Sequence, residues 1–269
     1  MRRRVVGAIA LLLLLSGCGG GSESDSAGTP TKRSPTTSSA PESDDGQLTL
    51  ESGAVVHYRC VGHGTPGILF EAGGAGTEEF GPALVDPLAA VAKVCTYDRL
   101  GQGASDPAPE RHRTVDDVCD VEDQVRQHLD LENPSVLAGQ SAGANQVIWC
   151  AARRPEAVAA LVSIEGYHDD PVKLAAEFGP DGGWQSGGNA EHVDWVTSAQ
   201  MLDKMRMPVG RFPVLVISAA NADPGGATNQ RYWLALSPRS RQVVLEGGHN
   251  LHFEVPDKVA AEMLKVFPG

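Results

Sequence analysis

At 269 residues the chain can hold one sizeable domain with tails, and it is too short for two full domains of common size. Hydrophobic residues make up 41% and charged residues 21%, a composition that suits a folded core and argues against a disordered chain. Lys and Arg total 22 against 34 acidic residues, so the net charge of −12 sets nucleic acid aside as a partner, because phosphate binding needs a basic face.

Arg2, Arg3 and Arg4 precede an apolar run from Val5 to Leu15, which ends in Leu15-Ser16-Gly17-Cys18. A basic start, a short apolar stretch and small residues mark an export signal. The run is shorter than the roughly 20 apolar residues that span a bilayer. Leu-Ser-Gly-Cys resembles the bacterial lipobox, which implies a signal peptide over 1–17, lipid on Cys18 and a protein held at the extracytoplasmic face of the cell membrane. The other reading is a signal cleaved nearby that leaves the protein free. Setting the three signal arginines aside leaves 19 basic and 34 acidic residues, a net of −15, so a lipid anchor would hold the domain without electrostatic help. Residues 19–47 are rich in Gly, Ser, Thr, Pro and acids, and cannot bury enough apolar surface to offset their ordering entropy. With Cys18 they read as a tether (18–47), and the domain is placed at 48–269.

Leu48 to Leu50 and Ala54 to Cys60 alternate around Ser52-Gly53 and read as a hairpin. Gly67 to Phe70 is a short buried strand running into Glu71-Ala72-Gly73-Gly74-Ala75-Gly76, and a helix is expected from Phe80 to Val91. Val94 to Tyr97 is the next strand, closed by Asp98-Arg99-Leu100-Gly101-Gln102-Gly103. Thr114 to Leu129 has helical apolar spacing with Thr114 as N-cap. Ser135 to Ala138, Leu161 to Ile164, Val214 to Ile217 and Gln242 to Leu245 read as strands, with helices at Ala142 to Ala152 and Pro256 to Val266. An antiparallel start followed by alternating strands and helices implies a mostly parallel sheet covered on both faces. The stretch from about 167 to 208, with Gly182-Gly183, Gly187-Gly188, Trp184 and Trp195, is too long for an ordinary connection and reads as a small lid. Either tryptophan would line a pocket or form the lid's own core.

Gly139-Gln140-Ser141-Ala142-Gly143 falls between a strand and a helix, the setting of a nucleophile elbow. A strained turn puts the serine at its tip, glycines two residues either side avoid a clash, and the following helix aims free N–H groups at the site. The serine needs a base. Among eight histidines, His249 follows the last strand and Gly247-Gly248, with His252 as rival. For the acid that orients the imidazole, Asp223 lies just beyond the strand Val214 to Ile217, and Glu165, ending the preceding strand, competes with it. The cysteines beyond Cys18 are Cys60, Cys95, Cys119 and Cys150; an even number in an exported chain favours two disulfides over four buried thiols. None has zinc-ligand spacing, so no metal is expected.

With these motifs in order, the domain from roughly Leu48 onward resembles the α/β-hydrolase family. Tyr97 to Asp106 resembles the turn after that family's fourth strand, and Gly247-Gly248-His249 its histidine loop. The resemblance implies an eight-stranded, mostly parallel sheet flanked by helices, with a lid insertion. It further implies catalysis by Ser141, Asp223 and His249, with the oxyanion held by the N–H groups of Gly74 and Ala142; Gly73 is the substitute for Gly74. Ala72-Gly73 stands where the family often has His-Gly, a change the backbone donors tolerate. Asp98 and Arg99 are expected to form a structural ion pair. The family's strand order places its second and fourth strands side by side, which implies Cys60–Cys95, and the packing of its helices implies Cys119–Cys150.

The implied reaction is hydrolysis of a carboxylic ester through an acyl-enzyme, with no cofactor and with a small-molecule or lipid-like acyl substrate. A peptidase, thioesterase or lactonase uses the same groups, and a non-catalytic binding lipoprotein on the same fold is the alternative from a different class. Nucleotide binding at the Gly73 to Gly76 turn is disfavoured because no Gly-Lys-Ser/Thr follows.

Overall fold

A computed structural model describes residues 43–74, 76–131, 134–179, 181–223 and 225–267. The export signal, Cys18 and the tether up to residue 42 lie outside the described residues. The chain opens with β1 (Ser43–Thr49), which pairs antiparallel with β2 (Val55–Val61) across a turn at Leu50 to Ala54. The first strand therefore begins five residues before Leu48. Its polar sequence, Ser-Asp-Asp-Gly-Gln, resembles the tether in composition, and cross-strand pairing rather than burial makes it a strand.

The remaining strands are β3 (Ile68–Glu71), β4 (Val94–Tyr97), β5 (Ser135–Gln140), β6 (Val158–Ile164), β7 (Val214–Ala219) and β8 (Ser240–Leu245). They form one eight-stranded sheet in the order β1-β2-β4-β3-β5-β6-β7-β8, parallel from β4 to β8. The side-chain period of two divides each central strand between two cores. Leu69, Leu137, Leu161, Val214 and Val216 pack on one side, with α2 (Val115–His128) and α3 (Ala142–Arg153). Ile68, Phe70, Val136, Ala138, Val162, Leu215 and Ile217 pack on the other, with α1 (Pro82–Ala89) and the C-terminal α8 (Pro256–Leu264). Both faces are covered, as the near-continuous apolar runs of the inner strands require.

Between β6 and β7 lie α4 (Pro171–Phe178) and α5 (Trp195–Asp203), packed on each other. Each starts at an aspartate: Asp170 accepts from Val172 N at 2.9 Å and Asp194 from Thr197 N at 2.8 Å. After β7 come α6 (Gly226–Gln230) and, after β8, α7 (Leu251–Glu254). Both disulfides form as the resemblance implied. Cys60 and Cys95 are direct cross-strand partners on β2 and β4, with Cα atoms 4.1 Å apart, and Cys119 of α2 joins Cys150 of α3.

Candidate active site

The nucleophile turn is built by backbone constraint. Ser141 sits between β5 and α3 with φ 53° and ψ −120°, a conformation an L-residue holds only when its surroundings over-determine it. Its N–H donates to the Ile164 carbonyl at 2.9 Å. A Cβ at Gly139 would run into the Gly143 carbonyl, and one at Gly143 into the Glu71 carbonyl, so both flanking positions require glycine.

His249 Nε2 lies 3.0 Å from Ser141 Oγ, which brings together the two groups expected from sequence. The imidazole loop is held from both sides: Gln140 Nε2 donates to the His249 carbonyl at 3.2 Å, and Glu254 accepts from Gly248 N at 2.7 Å. His252 is not at the serine. Its ring is buried beside Phe80, with Nε2 3.8 Å from Glu79, and desolvation lowers its pKa.

The carboxylate beside the imidazole is not the expected Asp223. Glu165 Oε2 lies 3.2 Å from His249 Nδ1, whereas Asp223 is exposed on the turn after β7 and makes no hydrogen bond to the imidazole. The cause is lateral position: Glu165 directly follows β6, which lies beside β5 and the serine, while Asp223 lies four residues past the end of β7. Glu165 is fully buried and carries φ 53°; it accepts from Ala219 N at 2.6 Å, Gln230 Nε2 at 2.9 Å and Tyr167 Oη at 3.3 Å. Burial pushes its carboxyl pKa up, but the bonds from His249, Gln230 and Ala219 outweigh that and hold it below the usual value. His249 moves the other way: the bond to Glu165 raises its pKa against a smaller opposing effect of burial, and Asp223 adds only a distant attraction. Gln230 is oriented in turn by Ser218 Oγ, which donates to its Oε1 at 2.8 Å and itself accepts from Gln242 Nε2 at 2.8 Å. No motif marks Gln230, so sequence reasoning missed it.

The oxyanion donors also differ from expectation. Ala142, the first residue of α3, lines the cavity at Ser141, and its N–H has no intrahelical partner. Gly74 N, however, donates to Glu79 Oε2 at 3.1 Å, and Gly73 N to Glu79 Oε1 at 2.8 Å. A buried carboxylate thus occupies the place where an oxyanion would be held, and Glu79 carried no signal of this in the sequence.

Asp98 and Arg99 do not pair with each other. Asp98 accepts from Thr77 N at 2.5 Å and Ala104 N at 2.8 Å and faces His57 Nδ1 at 3.1 Å, so it ties together the loops after β3 and β4. Arg99 binds Glu71 and both carboxylate oxygens of Glu191, and donates to the carbonyls of Ala72 and Gly73. In a planar trans peptide the C=O and N–H point opposite ways. By drawing both carbonyls toward itself, Arg99 fixes the N–H groups of Gly73 and Gly74 on the other side of the turn. Burial opposes the charge of Arg99, but the carboxylates of Glu191 and Glu71 more than offset it.

A cavity of about 230 Å³ opens on Ser141. Its floor includes Ala142 and Gln146 of α3, and its roof comes from the insertion, with Leu174 and Phe178 of α4 and Trp195 and Leu202 of α5. Trp195 therefore lines the pocket, whereas Trp184 packs edge-on against His112 and His192. Among the described residues no cluster of His, Cys, Asp and Glu could hold a metal ion, and no helix is long and apolar enough to cross a membrane.

The sequence model of the α/β hydrolase fold matches residues 63–189, a span that takes in the nucleophile turn and Glu165. No curated protein matches the chain. Among solved structures, a thermophilic esterase from Thermogutta terrifontis is 18% identical, covers 82% of this chain and 97% of its own, and superposes with a TM-score of 0.65. An enol-lactonase from Burkholderia xenovorans is 18% identical over 82% of this chain and 99% of its own, with a TM-score of 0.64. The thioesterase domain of the curacin biosynthetic pathway is 16% identical over 83% and 99%, with a TM-score of 0.60. The matched span, the strand order and the helices on both faces together give this chain the α/β hydrolase fold.

Proposed function

We propose that the chain is a serine hydrolase that cleaves a carboxylic ester by two-step acyl transfer, with Ser141 as nucleophile, His249 as base and Glu165 as the acid behind it. The observation that carries this reading is the continuous relay from Glu165 through His249 to Ser141, with bonds of 3.2 and 3.0 Å. His249 Nε2 takes the proton of Ser141 Oγ as that oxygen attacks the ester carbonyl. The imidazolium is held by the Glu165 carboxylate, and the oxyanion by the N–H of Ala142. Gly74 N–H serves as the second donor once Glu79 releases it. Collapse of the tetrahedral adduct breaks the bond to the leaving oxygen, which His249 protonates. Water, losing a proton to His249, then attacks the acyl-enzyme; the bond to Ser141 Oγ breaks, His249 returns the proton to that oxygen and the acid is freed.

The small, mostly apolar cavity suits the acyl part of a small or medium ester. Thioesters and lactones present the same carbonyl to the same groups, and the thioesterase and lactonase folds among the similar structures keep them as the second reading. A fluorophosphonate probe tests the proposal: wild type labels and Ser141→Ala does not. Absence of Ser141-dependent labelling in folded protein would leave the non-catalytic binding reading.

The location proposed is the extracytoplasmic face of the cell membrane, through lipid on Cys18. Arg2 to Arg4, the apolar run and Leu15 to Cys18 support it, as do two disulfides, which persist in oxidising compartments. Cys18→Ala is expected to move the protein from the detergent-rich to the aqueous phase on phase partition; unchanged partition argues for a free exported form.

A further inference from the structure

The cavity beside Ser141 is walled largely by apolar side chains such as Val115, Leu174 and Leu202, and among its polar lining residues Gln146 stands apart. Gln146 is only 2% exposed, and both its Oε1 and Nε2 are buried without a hydrogen-bond partner among the described residues. Next to it, Asn145 donates through Nδ2 to Asp169 at 3.0 Å while its Oδ1 is likewise unpartnered. Leaving a buried polar group unsatisfied costs about 1–3 kcal/mol, and folded proteins seldom tolerate it. Among the described residues no contact uses the Gln146 amide, and an apolar side chain of similar size would fill the same space at lower cost.

We infer that Gln146 sets substrate specificity by hydrogen bonding to a hydroxyl or carboxamide group within the acyl part of the substrate. This rests on the serine-hydrolase reading and refines it. Gln146 follows the oxyanion donor Ala142 by four residues, so it lies on the same face of α3 one turn further on. That displacement is about 6 Å along the helix axis. A substrate whose carbonyl oxygen sits at Ala142 N therefore reaches Gln146 with a group roughly three to five bonds beyond the carbonyl carbon. The amide offers an acceptor oxygen and a donor nitrogen, so a hydroxyl or carboxamide group gives at least one of them a partner, and a hydrocarbon chain leaves both atoms bare. Asp169 lines the same cavity and makes a cationic acyl group the competing occupant. Its carboxyl is pushed up by burial, which favours the neutral form and weakens it as a counter-charge.

The test uses the full chain and three 4-nitrophenyl esters: of N-acetyl-β-alanine, of its hydrocarbon isostere 5-methylhexanoic acid, and of 4-(trimethylammonio)butyric acid. Wild type is expected to favour the acetamido ester over the isostere by about tenfold or more in kcat/KM, and Gln146→Leu and Gln146→Met to abolish or invert that ratio. Both variants should label with the fluorophosphonate probe and melt at or above the wild-type temperature, whereas a structural role for the amide would lower it. A wild-type ratio at or below one overturns the inference without reference to any variant. So does a ratio unchanged in both variants, or a preference for the cationic ester that Asp169→Asn removes. Ser141-dependent cleavage with no such ratio sinks this inference alone; no Ser141-dependent cleavage of any ester sinks the hydrolase reading with it.

Discussion

Two carboxylates competed for one imidazole, and the geometry gives it to Glu165, which is buried, bonded by Ala219 N and Gln230 and 3.2 Å from His249 Nδ1. Glu165→Gln is expected to lower kcat by about 10³ to 10⁴, the range known when a triad acid loses its charge and the imidazole takes the wrong tautomer. Asp223→Asn should stay within about threefold of wild type; steady-state kinetics on both variants checks the pair, and the opposite ranking would restore Asp223. The bond to Glu165 raises the His249 pKa above its ordinary 6.5. Since only the neutral imidazole accepts the serine proton, kcat/KM should fall as pH drops through that raised value, placing the acid limb above 6.5. In Glu165→Gln the residual acid limb should move to lower pH. Both candidate acids stand near strand ends, so one-dimensional order could not separate them. Glu79 shows the same limit: the sequence places it five residues beyond Gly74, and only the folded turn lays its carboxylate on the two glycine amides.

Helix α2 illustrates what a helical period conveys and what it hides. The spacing of Val115, Val118, Val121 and Val125 predicts a helix with Thr114 at its start, and Thr114 N does bond Asp117 at 2.9 Å. The same helix buries Glu122 completely, with no hydrogen bond to either oxygen among the described residues and Arg126 3.8 Å away. Desolvation raises its carboxyl well above the usual 4.5. A carboxyl whose folded pKa is raised binds more protons folded than unfolded, so its cost is absent below 4.5 and grows as pH climbs above it. Glu122→Gln removes the ionisation, and its melting temperature at pH ~8 should exceed the wild-type value by a few degrees while the two converge near pH ~4. A melting temperature of Glu122→Gln below the wild-type value at pH ~8 would mean that Glu122 is paired. Periodicity located the element correctly because it reports the apolar face; the partner of a single acid within that face depends on neighbouring elements.

Across the whole molecule, two disulfides lock pairs of elements that the chain brings together over separations of 35 and 31 residues. Constraining loops of that size in the unfolded chain contributes about 3–4 kcal/mol each in the chain-entropy account. Replacing Cys119 and Cys150 by serine should lower stability by roughly that amount in urea denaturation, with Ser141 labelling retained below the transition. A change of a few tenths of a kcal/mol would show that the α2–α3 interface holds without its bridge.

The amino-acid sequence by itself determined the class of the fold and singled out the serine and the histidine that the structure brings together. Strand, turn and helix around Gly139 to Gly143 are local, and the apolar runs of β3 to β8 announce a sheet covered on both faces. The insertion between the sixth and seventh strands was also legible, because residues 167–208 are too long for an ordinary connection. The carboxylate beside the imidazole, the partner of the Gly73 and Gly74 amides and the polar lining of the cavity were decided by tertiary structure alone. Each depends on distances between residues far apart in the chain, such as the 84 positions between Glu165 and His249, and those distances are fixed by the lateral order of the strands. Chain order constrains which strand a residue ends; only packing brings that strand end to within 3.2 Å of the imidazole.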